Sequence, residues 1–149
     1  MNEVRLRSGA VADAPACAAM LQGWLDGEPW IPDLHDLDET IAWMEAEMFT
    51  ACDVTVAEAD GAVRGYLARE DALIVSLTVA DGWRGKGMGG LLLDNAKAAR
   101  PAGLTLWCFE ANVAARRFYA RHGFAELRRT AGDNDEGLPD VMMGWPADA

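Results

Sequence analysis

A glycine-rich segment with two cationic side chains is the part of the sequence with the clearest chemical character. It reads Trp83-Arg84-Gly85-Lys86-Gly87-Met88-Gly89-Gly90 and lies between a predicted strand and a predicted helix. Glycine lets a backbone approach a ligand closely, and the unpaired N–H groups at the start of a helix attract phosphate. Arg84 and Lys86 add positive charge to the same turn. The segment therefore predicts a phosphate site, and a tight turn without a ligand is the alternative interpretation.

The glycine segment matches two known phosphate motifs only in part. Residues 85–90 formally fit the dinucleotide fingerprint G-x-G-x-x-G, and Glu110 follows Gly90 by twenty residues, as that fingerprint asks. A dinucleotide fold, however, carries the fingerprint directly after its first strand, whereas several predicted strands precede it here. A Walker loop is excluded because Gly-Lys is nowhere followed by Ser or Thr. We therefore expect a phosphate-bearing cofactor of another kind.

Two motifs make the sequence resemble the GCN5-related N-acetyltransferases. The acetyl-CoA motif of that family has the form Q/R-x-x-G-x-G/A, and its positions are occupied here by Arg84, Gly87 and Gly89. A second motif has the form N-x-x-A-x-x-F-Y-x-x-x-G-F, and the residues that match it are Asn112, Ala115, Phe118, Tyr119, Gly123 and Phe124. The match is closest over residues 73–145. The resemblance implies that acetyl-CoA is the acyl donor and that an amine is the acceptor.

The resemblance also implies which residues hold the coenzyme. The backbone of residues 77–79 would hydrogen-bond the pantetheine arm and the thioester oxygen, and the N–H groups of residues 85–90 would bind the pyrophosphate. The full set of expected coenzyme contacts is Leu77, Thr78, Val79, Arg84, Gly85, Lys86, Gly87, Met88, Gly89, Gly90, Asn112, Ala115, Phe118 and Tyr119.

Tyr119 is the expected catalytic acid. It lies seven residues after Asn112, so two helical turns bring both side chains to one face of a predicted helix. By resemblance, Asn112 contacts the coenzyme arm and the Tyr119 hydroxyl protonates the CoA thiolate. A phenol with a pKa of about 10 can donate to a thiolate whose conjugate acid has a pKa of about 8.5 if the geometry is good. The alternative for Tyr119 is an aromatic core residue.

The general base has two candidates in the sequence. Glu110 ends a predicted buried strand beside the expected coenzyme gap, and its alternative role is a capping residue or an ion pair with Arg116 or Arg117. His35 lies in an acidic loop and could also accept the amine proton, although a loop histidine is usually just exposed.

Substrate contacts are expected from segments that the two motifs do not use. One is the loop of residues 30–36, which belongs to an irregular stretch with two prolines, Pro29 and Pro32. The other is residues 133–140, a long connection with four carboxylates. We expect a small-molecule or peptide amine, cationic or polyamine-like, to be held by Trp30, His35, Asp135, Glu136 and Asp140. A solvated acidic loop is the alternative.

The charge of the chain is uneven along its length. The 149 residues include 13 Lys and Arg against 24 Asp and Glu, for a net charge of -11, which argues against nucleic acid as a partner. Residues 1–83 hold 4 basic and 16 acidic side chains, residues 84–129 hold 9 and 3, and residues 130–149 hold 0 and 5. The basic segment coincides with the two motifs, as a site for the phosphates of CoA requires, and the acidic flanks favour a cationic acceptor.

Composition narrows the class of protein. With 51% apolar and 25% charged residues, residues 1–149 are expected to form a single globular domain. No stretch approaches the roughly 20 apolar residues that span a bilayer, and no signal peptide is apparent, so we expect no membrane partner. The 3 cysteines indicate neither a disulfide framework nor a metal site, so we expect a reduced, cytoplasmic setting and no metal, with Cys108 in the core. The 6 tryptophans are compatible with a homodimer surface, although core packing explains them equally.

The predicted elements give an α+β fold in the order β, α, α, β, β, β, α, β, α, β, β. Residues 73–79, a helix and residues 104–109 form a β-α-β unit, whose two strands should be parallel. The run 104–109 is nearly all apolar and predicts a strand buried on both faces. Asp13, Asp38 and Asn112 are the expected helix N-caps. The resemblance implies one twisted mixed sheet of about seven strands, mostly antiparallel, with about four flanking helices and a splay between strands 73–79 and 104–109.

The leading functional prediction is an acetyl-CoA-dependent N-acetyltransferase. It would act by direct attack of a primary amine, belonging to a small cationic molecule or an amino terminus, on the thioester. Two alternatives stay open from the sequence. One is an O-acetyltransferase or a transferase that uses another acyl-CoA. The other is a catalytically silent protein that binds acyl-CoA.

Overall fold

Seven strands form one open sheet in the order β1-β2-β3-β4-β5-β7-β6. The computed structural model describes residues 3–147, so residues 1, 2, 148 and 149 of the predicted domain lie outside the described residues. The strands are β1 Arg5–Ser8, β2 Asp53–Ala59, β3 Ala62–Glu70, β4 Leu73–Val79, β5 Leu104–Phe109, β6 Ala125–Thr130 and β7 Asp140–Trp145.

The helices flank this sheet. They are α1 Ala14–Gly27, α2 Leu37–Trp43, α3 Phe49–Ala51, α4 Met88–Ala99 and α5 Val113–Arg121. A short 3-10 turn, Val11–Asp13, precedes α1, and a π-helical segment, Met44–Met48, joins α2 to α3 in one continuous helical stretch. The predicted order of elements and the α+β class are confirmed. In the described chain, no helix is long and apolar enough to cross a membrane.

The two parallel strands separate soon after they start. β4 and β5 pair only at Leu73 with Thr105 and at Ile74 with Leu106, and every other neighbouring pair in the sheet is antiparallel. Beyond Ile74 the edge of β4 that faces β5 therefore has no strand partner. The splay implied by the resemblance is confirmed, and it opens a gap in the middle of the sheet.

Each face of the sheet has its own core. One core includes Leu67, Leu92 and Leu106 and contains residues of α4 and α5, whereas the other includes Met44 and Tyr66 and contains residues of α1. Tyr66 and Leu67 are neighbours on β3 and point to opposite faces, as successive strand residues do. α4 and α5 thus lie on one side of the sheet, and α1 and α2 lie on the other.

The prediction that strand 104–109 is buried on both faces is wrong. Leu104, Leu106 and Cys108 are buried in the core with α4, but Trp107 between them is 37% exposed. The physical reason is helix coverage: among the described residues, the core formed with α1 includes residues of β2 and β3 and none of β5. One face of β5 is therefore left open beside the gap.

The N-cap of α2 differs from the prediction. Asp36, and not Asp38, precedes the helix: its carboxylate accepts a hydrogen bond of 2.8 Å from the Glu39 N–H. The Glu39 side chain in turn accepts one of 3.1 Å from the Asp36 N–H, which completes a capping box. The capping box selects Asp36 because it needs Glu at the third helical position, which Asp38 lacks.

The other two expected caps have different outcomes. Asn112 caps α5 as predicted, accepting a hydrogen bond of 3.2 Å from the Ala115 N–H. Asp13 precedes α1, but its carboxylate instead receives two hydrogen bonds of 2.9 Å from Arg7 and one from the Ala10 N–H. The Arg7 hydrogen bonds hold the pKa of Asp13 below its usual value. Asp13 therefore fastens β1 to the start of α1.

Candidate functional site

A cleft of about 1770 Å³ runs through the gap between β4 and β5. Most of the predicted site residues line it: Leu77, Thr78, Val79, Arg84, Gly85, Gly87, Gly89, Gly90, Asn112, Ala115, Phe118, Tyr119, His35, Asp135, Glu136 and Asp140. Four predicted residues are not part of its wall: Trp30, Lys86, Met88 and Glu110. The structure therefore brings both motifs and the acidic loop to one cavity.

The turn before α4 offers a row of unused hydrogen-bond donors. Within residues 3–147, no backbone N–H from Arg84 to Gly90 has a hydrogen-bond partner, and the first helical bond is donated by Leu91 to the Gly87 carbonyl. Gly85 and Gly87 have φ values of 76° and 85°, and a Cβ at either position would meet nothing within 4 Å. The backbone is thus open to a ligand at both positions. Such a row at a helix N-terminus suits an anion.

Arg84 is the cation that belongs to this turn. Its Nε donates a hydrogen bond of 3.0 Å to the Val79 carbonyl, which fastens the turn to the end of β4 and leaves the rest of the guanidinium at the cleft. Lys86 is not part of the cleft wall: its Nζ lies 5.4 Å from the ring centroid of Trp83, which does line the cleft. Met88 is only 2% exposed, so its side chain belongs to the core and its backbone N–H alone faces the turn. Of the two predicted cations, Arg84 is the one in the wall.

Gly89 and Gly90 have a second reason to be glycine. A Cβ at Gly89 would lie 3.1 Å from a ring carbon of Phe118, and one at Gly90 would lie 3.1 Å from a ring carbon of His122. Both contacts are tighter than ordinary packing, so side chains here would push α5 away from α4. These two glycines let α5 approach the start of α4. The sequence motif therefore combines ligand access with helix packing.

Tyr119 lies in the gap on the α5 side. Its side chain is 9% exposed, packs edge-on against Phe118 and Phe124, and lines the cleft. Burial, with a smaller contribution from nearby Cys108, raises the pKa of Tyr119 above the ordinary phenol value. The hydroxyl therefore stays protonated at neutral pH, which a proton donor requires. Tyr119 also fits the alternative interpretation as an aromatic core residue, because it belongs to the apolar cluster around α4.

Cys108 is a core residue, as expected. It is 7% exposed on the buried face of β5, and burial raises the pKa of its thiol to about 11. A thiol with that pKa is almost fully protonated at neutral pH and is a poor nucleophile. None of the cysteines among the described residues forms a disulfide, and those residues contain no cluster of His, Cys, Asp and Glu suited to a metal.

Glu110 is held outside the cleft by an ion pair. Its carboxylate lies 3.5 Å from an Arg129 nitrogen on β6, and its backbone carbonyl accepts a hydrogen bond of 2.9 Å from Arg116. The sequence interpretation as an ion-paired residue fits this geometry, although the partner of the side chain is Arg129. The sheet order explains the partner, since β6 and β7 follow β5 across the sheet. The geometry therefore does not favour Glu110 as the base.

The loop that carries Trp30 and His35 is fastened to α1 by a buried amide. Gln22 is 6% exposed; its amide donates 2.9 Å hydrogen bonds to the His35 carbonyl and to Asp26, and it accepts one of 2.6 Å from Thr40. His35 lines the cleft with a half-exposed ring. Trp30 lies behind the wall, where its ring packs edge-on at 5.6 Å from that of Phe109. Trp30 therefore supports the wall through Phe109.

The Asp140 carboxylate forms hydrogen bonds inside the connection between β6 and β7. Asp140 is 8% exposed; one carboxylate oxygen accepts a short hydrogen bond from Thr130 and the other accepts one of 3.1 Å from Asn134. Asn134 also bonds both the N–H and the carbonyl of Leu138. These bonds give the connection a fixed shape, so Asp140 acts as a support. Asp135 and Glu136 remain at the cleft, with no hydrogen-bond partner for either carboxylate in the described part of the chain.

Thr78 was expected at the coenzyme, but Ser76, Trp107 and Arg128, which also line the cleft, had no functional signal in the sequence. Ser76 and Thr78 line it on β4, and their hydroxyls both bond the buried Tyr66 hydroxyl, at 2.7 and 3.3 Å. Burial raises the pKa of Tyr66 to about 12, so this cluster stays neutral. Trp107 on β5 and Arg128 on β6 also line the cleft. The polar Thr105 in the apolar run was the one hint that one face of β5 is not fully buried.

Only part of the basic segment lies at the cleft. Three of its cations line the cleft: Arg84, Arg121 and Arg128. Others are neutralised within the protein, since Arg116 and Arg129 both lie near Glu126 and Arg100 lies 3.3 Å from Asp71. The charge split along the sequence therefore overstates the positive charge of the site.

Solved structures with the same fold include bacterial acetyltransferases. The apo form of YjaB from Escherichia coli superposes with a TM-score of 0.77 at 19% identity, covering 96% of this chain and 97% of that chain. A ribosomal-protein-alanine N-acetyltransferase from Brucella melitensis gives 0.73 at 25% identity, covering 94% and 98%. The protein yncA from Salmonella typhimurium, solved with its cofactor acetyl-CoA, gives 0.74 at 22% identity, covering 99% and 95%.

The sequence itself identifies the family. No curated protein matches it. A family model described as an acetyltransferase (GNAT) domain matches residues 50–126, which include the gap between β4 and β5, the turn before α4 and all of α5. Members of this family use acetyl-CoA as the acyl donor. The chain belongs to the GNAT acetyltransferase family.

Proposed function

We propose that the protein is an acetyl-CoA-dependent N-acetyltransferase. It transfers an acetyl group, by direct attack, to a primary amine of a small cationic molecule or an amino terminus. One observation carries the proposal: the unpaired N–H groups from Arg84 to Gly90 and the side chain of Tyr119 open onto the same cleft, where β4 and β5 separate. Anion-binding donors and a proton donor in one gap suit transfer from an acyl-CoA.

The residues of the cleft fit the coenzyme. The N–H groups of residues 84–90 and the Arg84 guanidinium would hold the pyrophosphate, with open space above Gly85 and Gly87. The free edge of β4 after Ile74 and the Asn112 amide would hold the pantetheine arm. Acetyl-CoA, when bound, supplies the acetyl group as a thioester. The protein's own part is to orient that group, exclude water and provide a proton.

Tyr119 is the proposed proton donor for the departing sulfur. Its phenol keeps its proton because burial raises its pKa. A raised pKa also makes a phenol a weaker acid, but desolvation in the same gap would disfavour the charged thiolate of CoA in the same way. The pKa values of donor and acceptor therefore rise together, and proton transfer between them stays feasible.

The acceptor amine is proposed to enter from the side of α1 and residues 131–139. Asp135 and Glu136 would attract its ammonium form, and the amine must lose a proton before it attacks. Of the two candidates for that proton, His35 lines the cleft, whereas Glu110 is paired with Arg129 outside it. We therefore favour His35, acting directly or through water.

The test is a thiol-release assay on the wild type and on Tyr119→Phe across a panel of amines. Loss of a positioned general acid is expected to lower turnover by about 100-fold or more. The affinity for acetyl-CoA, measured by isothermal titration, should stay nearly unchanged because the phosphate turn is untouched. Unaltered turnover would remove Tyr119 from the acid role, and a parallel loss of affinity would indicate a packing role instead.

A further inference from the structure

We infer that the acceptor carries a carboxylate as well as its amine, and that Arg128 binds this carboxylate against Trp107. The inference rests on the proposed function and names the substrate class of the same site. It follows from a cation on the open face of the sheet that the protein itself does not neutralise.

Register puts Arg128 and Trp107 in one row across three strands. Trp107 on β5 pairs with Met142 on β7, and Met142 pairs with Arg128 on β6. Directly opposed residues of antiparallel strands share a face, so all three side chains lie on the face that α1 and α2 leave uncovered. The Arg128 guanidinium carbon reaches back across the row to 4.9 Å from the Trp107 ring centroid. Both residues line the cleft.

The guanidinium of Arg128 has no protein acceptor within residues 3–147. Other arginines of the basic segment differ: Arg129 lies 2.6 Å from Glu126, and Arg116 lies 3.8 Å from it. The acidic loop lines the same cleft, yet Arg128 forms no ion pair with Asp135 or Glu136. An Arg held on an aromatic ring, beside carboxylates that do not engage it, is available to a ligand.

A carboxylate is the group that best fits this cation. The planar fork of a guanidinium matches the two oxygens of a carboxylate, and stacking on the Trp107 ring limits the orientations of the fork before binding. Phe109, two residues after Trp107 on β5, also lines the cleft, and its ring suits an apolar body between amine and carboxylate. Asp135 and Glu136 can attract the ammonium of such a zwitterion. A purely cationic polyamine would instead be repelled by Arg128.

The test compares amines that differ only in the carboxylate. Apolar and aromatic amino acids and dipeptides are assayed beside their C-terminal amides, using wild type and Arg128→Gln. We expect wild type to prefer the carboxylates, and Arg128→Gln to lose about 10- to 100-fold in kcat/KM on them while changing little on the amides. Arg117→Gln is the matched control, because Arg117 is an exposed arginine outside the cleft wall. Arg117→Gln removes the same charge and should leave kcat/KM unchanged on both the carboxylates and the amides.

Two results would overturn the inference while leaving the proposed function intact. One is acetylation of amides and polyamines at rates equal to or above those of the carboxylates. The other is an equal loss on both members of each pair in Arg128→Gln. Failure of the proposed function has a different signature, namely no thiol release from acetyl-CoA with any amine in the panel.

Discussion

Gly85 and Gly61 form a matched pair that tests whether the turn before α4 binds the phosphates of the coenzyme. Both have φ of 76°, and a Cβ at either position would meet nothing within 4 Å. Replacing either by Ala therefore adds no clash and leaves only the cost of a left-handed backbone, roughly 1–2 kcal/mol. The two positions differ in place: Gly61 lies in the turn between β2 and β3, and Gly85 lies at the cleft.

The same backbone strain should appear as a loss of CoA affinity in Gly85→Ala and as a loss of stability in Gly61→Ala. If the turn before α4 relaxes in the free protein, Gly85→Ala must recover the bound conformation when coenzyme binds, so the Kd for CoA should rise by about 5- to 30-fold. Gly61→Ala should lower the free energy of unfolding by up to about 1–2 kcal/mol and leave the Kd unchanged. Any gain from a less flexible unfolded chain is common to both variants and cancels in the comparison.

Isothermal titration with CoA and denaturant unfolding of both variants measure the two quantities. The result that refutes the reasoning is a wild-type Kd in Gly85→Ala together with a stability loss equal to that of Gly61→Ala. That outcome would show that the turn keeps its left-handed conformation in the free protein, and it would refute the relaxation on which the expected loss of CoA affinity depends. Equal losses of CoA affinity in both variants would instead indicate a general loosening of the fold.

Three further predictions concern the acceptor loop, the tyrosines and the support of the wall. Replacing Asp135 and Glu136 by Asn and Gln should raise the acceptor KM and spare the KM for acetyl-CoA; equal effects on both would reject the acceptor role. The chain has 2 tyrosines, and burial raises the pKa of both Tyr66 and Tyr119, so an ultraviolet titration should show little phenolate at pH values near 10 while the protein is folded. Stability should accordingly fall as pH rises from about 10 toward the folded-state pKa values, and half-ionisation near pH 10 in the folded protein would contradict this. Gln22→Leu should lower the free energy of unfolding by about 1–3 kcal/mol, because it leaves buried hydrogen-bond partners unpaired. It should also raise the acceptor KM more than the coenzyme KM, and a stability change without that difference would limit Gln22 to a structural role.

Features that depend on short stretches of chain were predictable from the sequence. The Asn112 cap is set by residues three apart, and the left-handed turn at Gly85 and Gly87 is set by glycine spacing. The parallel pair also followed, because a β-α-β unit constrains its own strands. The gap after Ile74 came only with the family resemblance, since no local pattern records where two strands separate.

Features that depend on which element covers another were not predictable. The apolar run of β5 is compatible with burial on one face or two, and Trp107 is exposed because α1 and α2 stop short of it. Glu110 meets Arg129 because β6 lies two strands away in the sheet, a distance that the sequence does not encode locally. Likewise, the Asp140 carboxylate accepts a hydrogen bond from Thr130, at the other end of the connection between β6 and β7. Each of these three errors concerns a tertiary contact between distant segments, whereas the choice of Asp38 over Asp36 as the cap of α2 was a local error.

The most direct test of the central claim is product analysis with the wild-type protein. Acetyl-CoA is incubated with the panel of amines, amino acids and dipeptides, and mass spectrometry follows free CoA and acetylated product together. The account predicts equal amounts of CoA and of a product whose acetyl group is on nitrogen, shown by its resistance to hydroxylamine. Tight CoA binding with no acetylated product from any acceptor would contradict it, and a hydroxylamine-labile product would replace the N-acetyl assignment with an O-acetyl one.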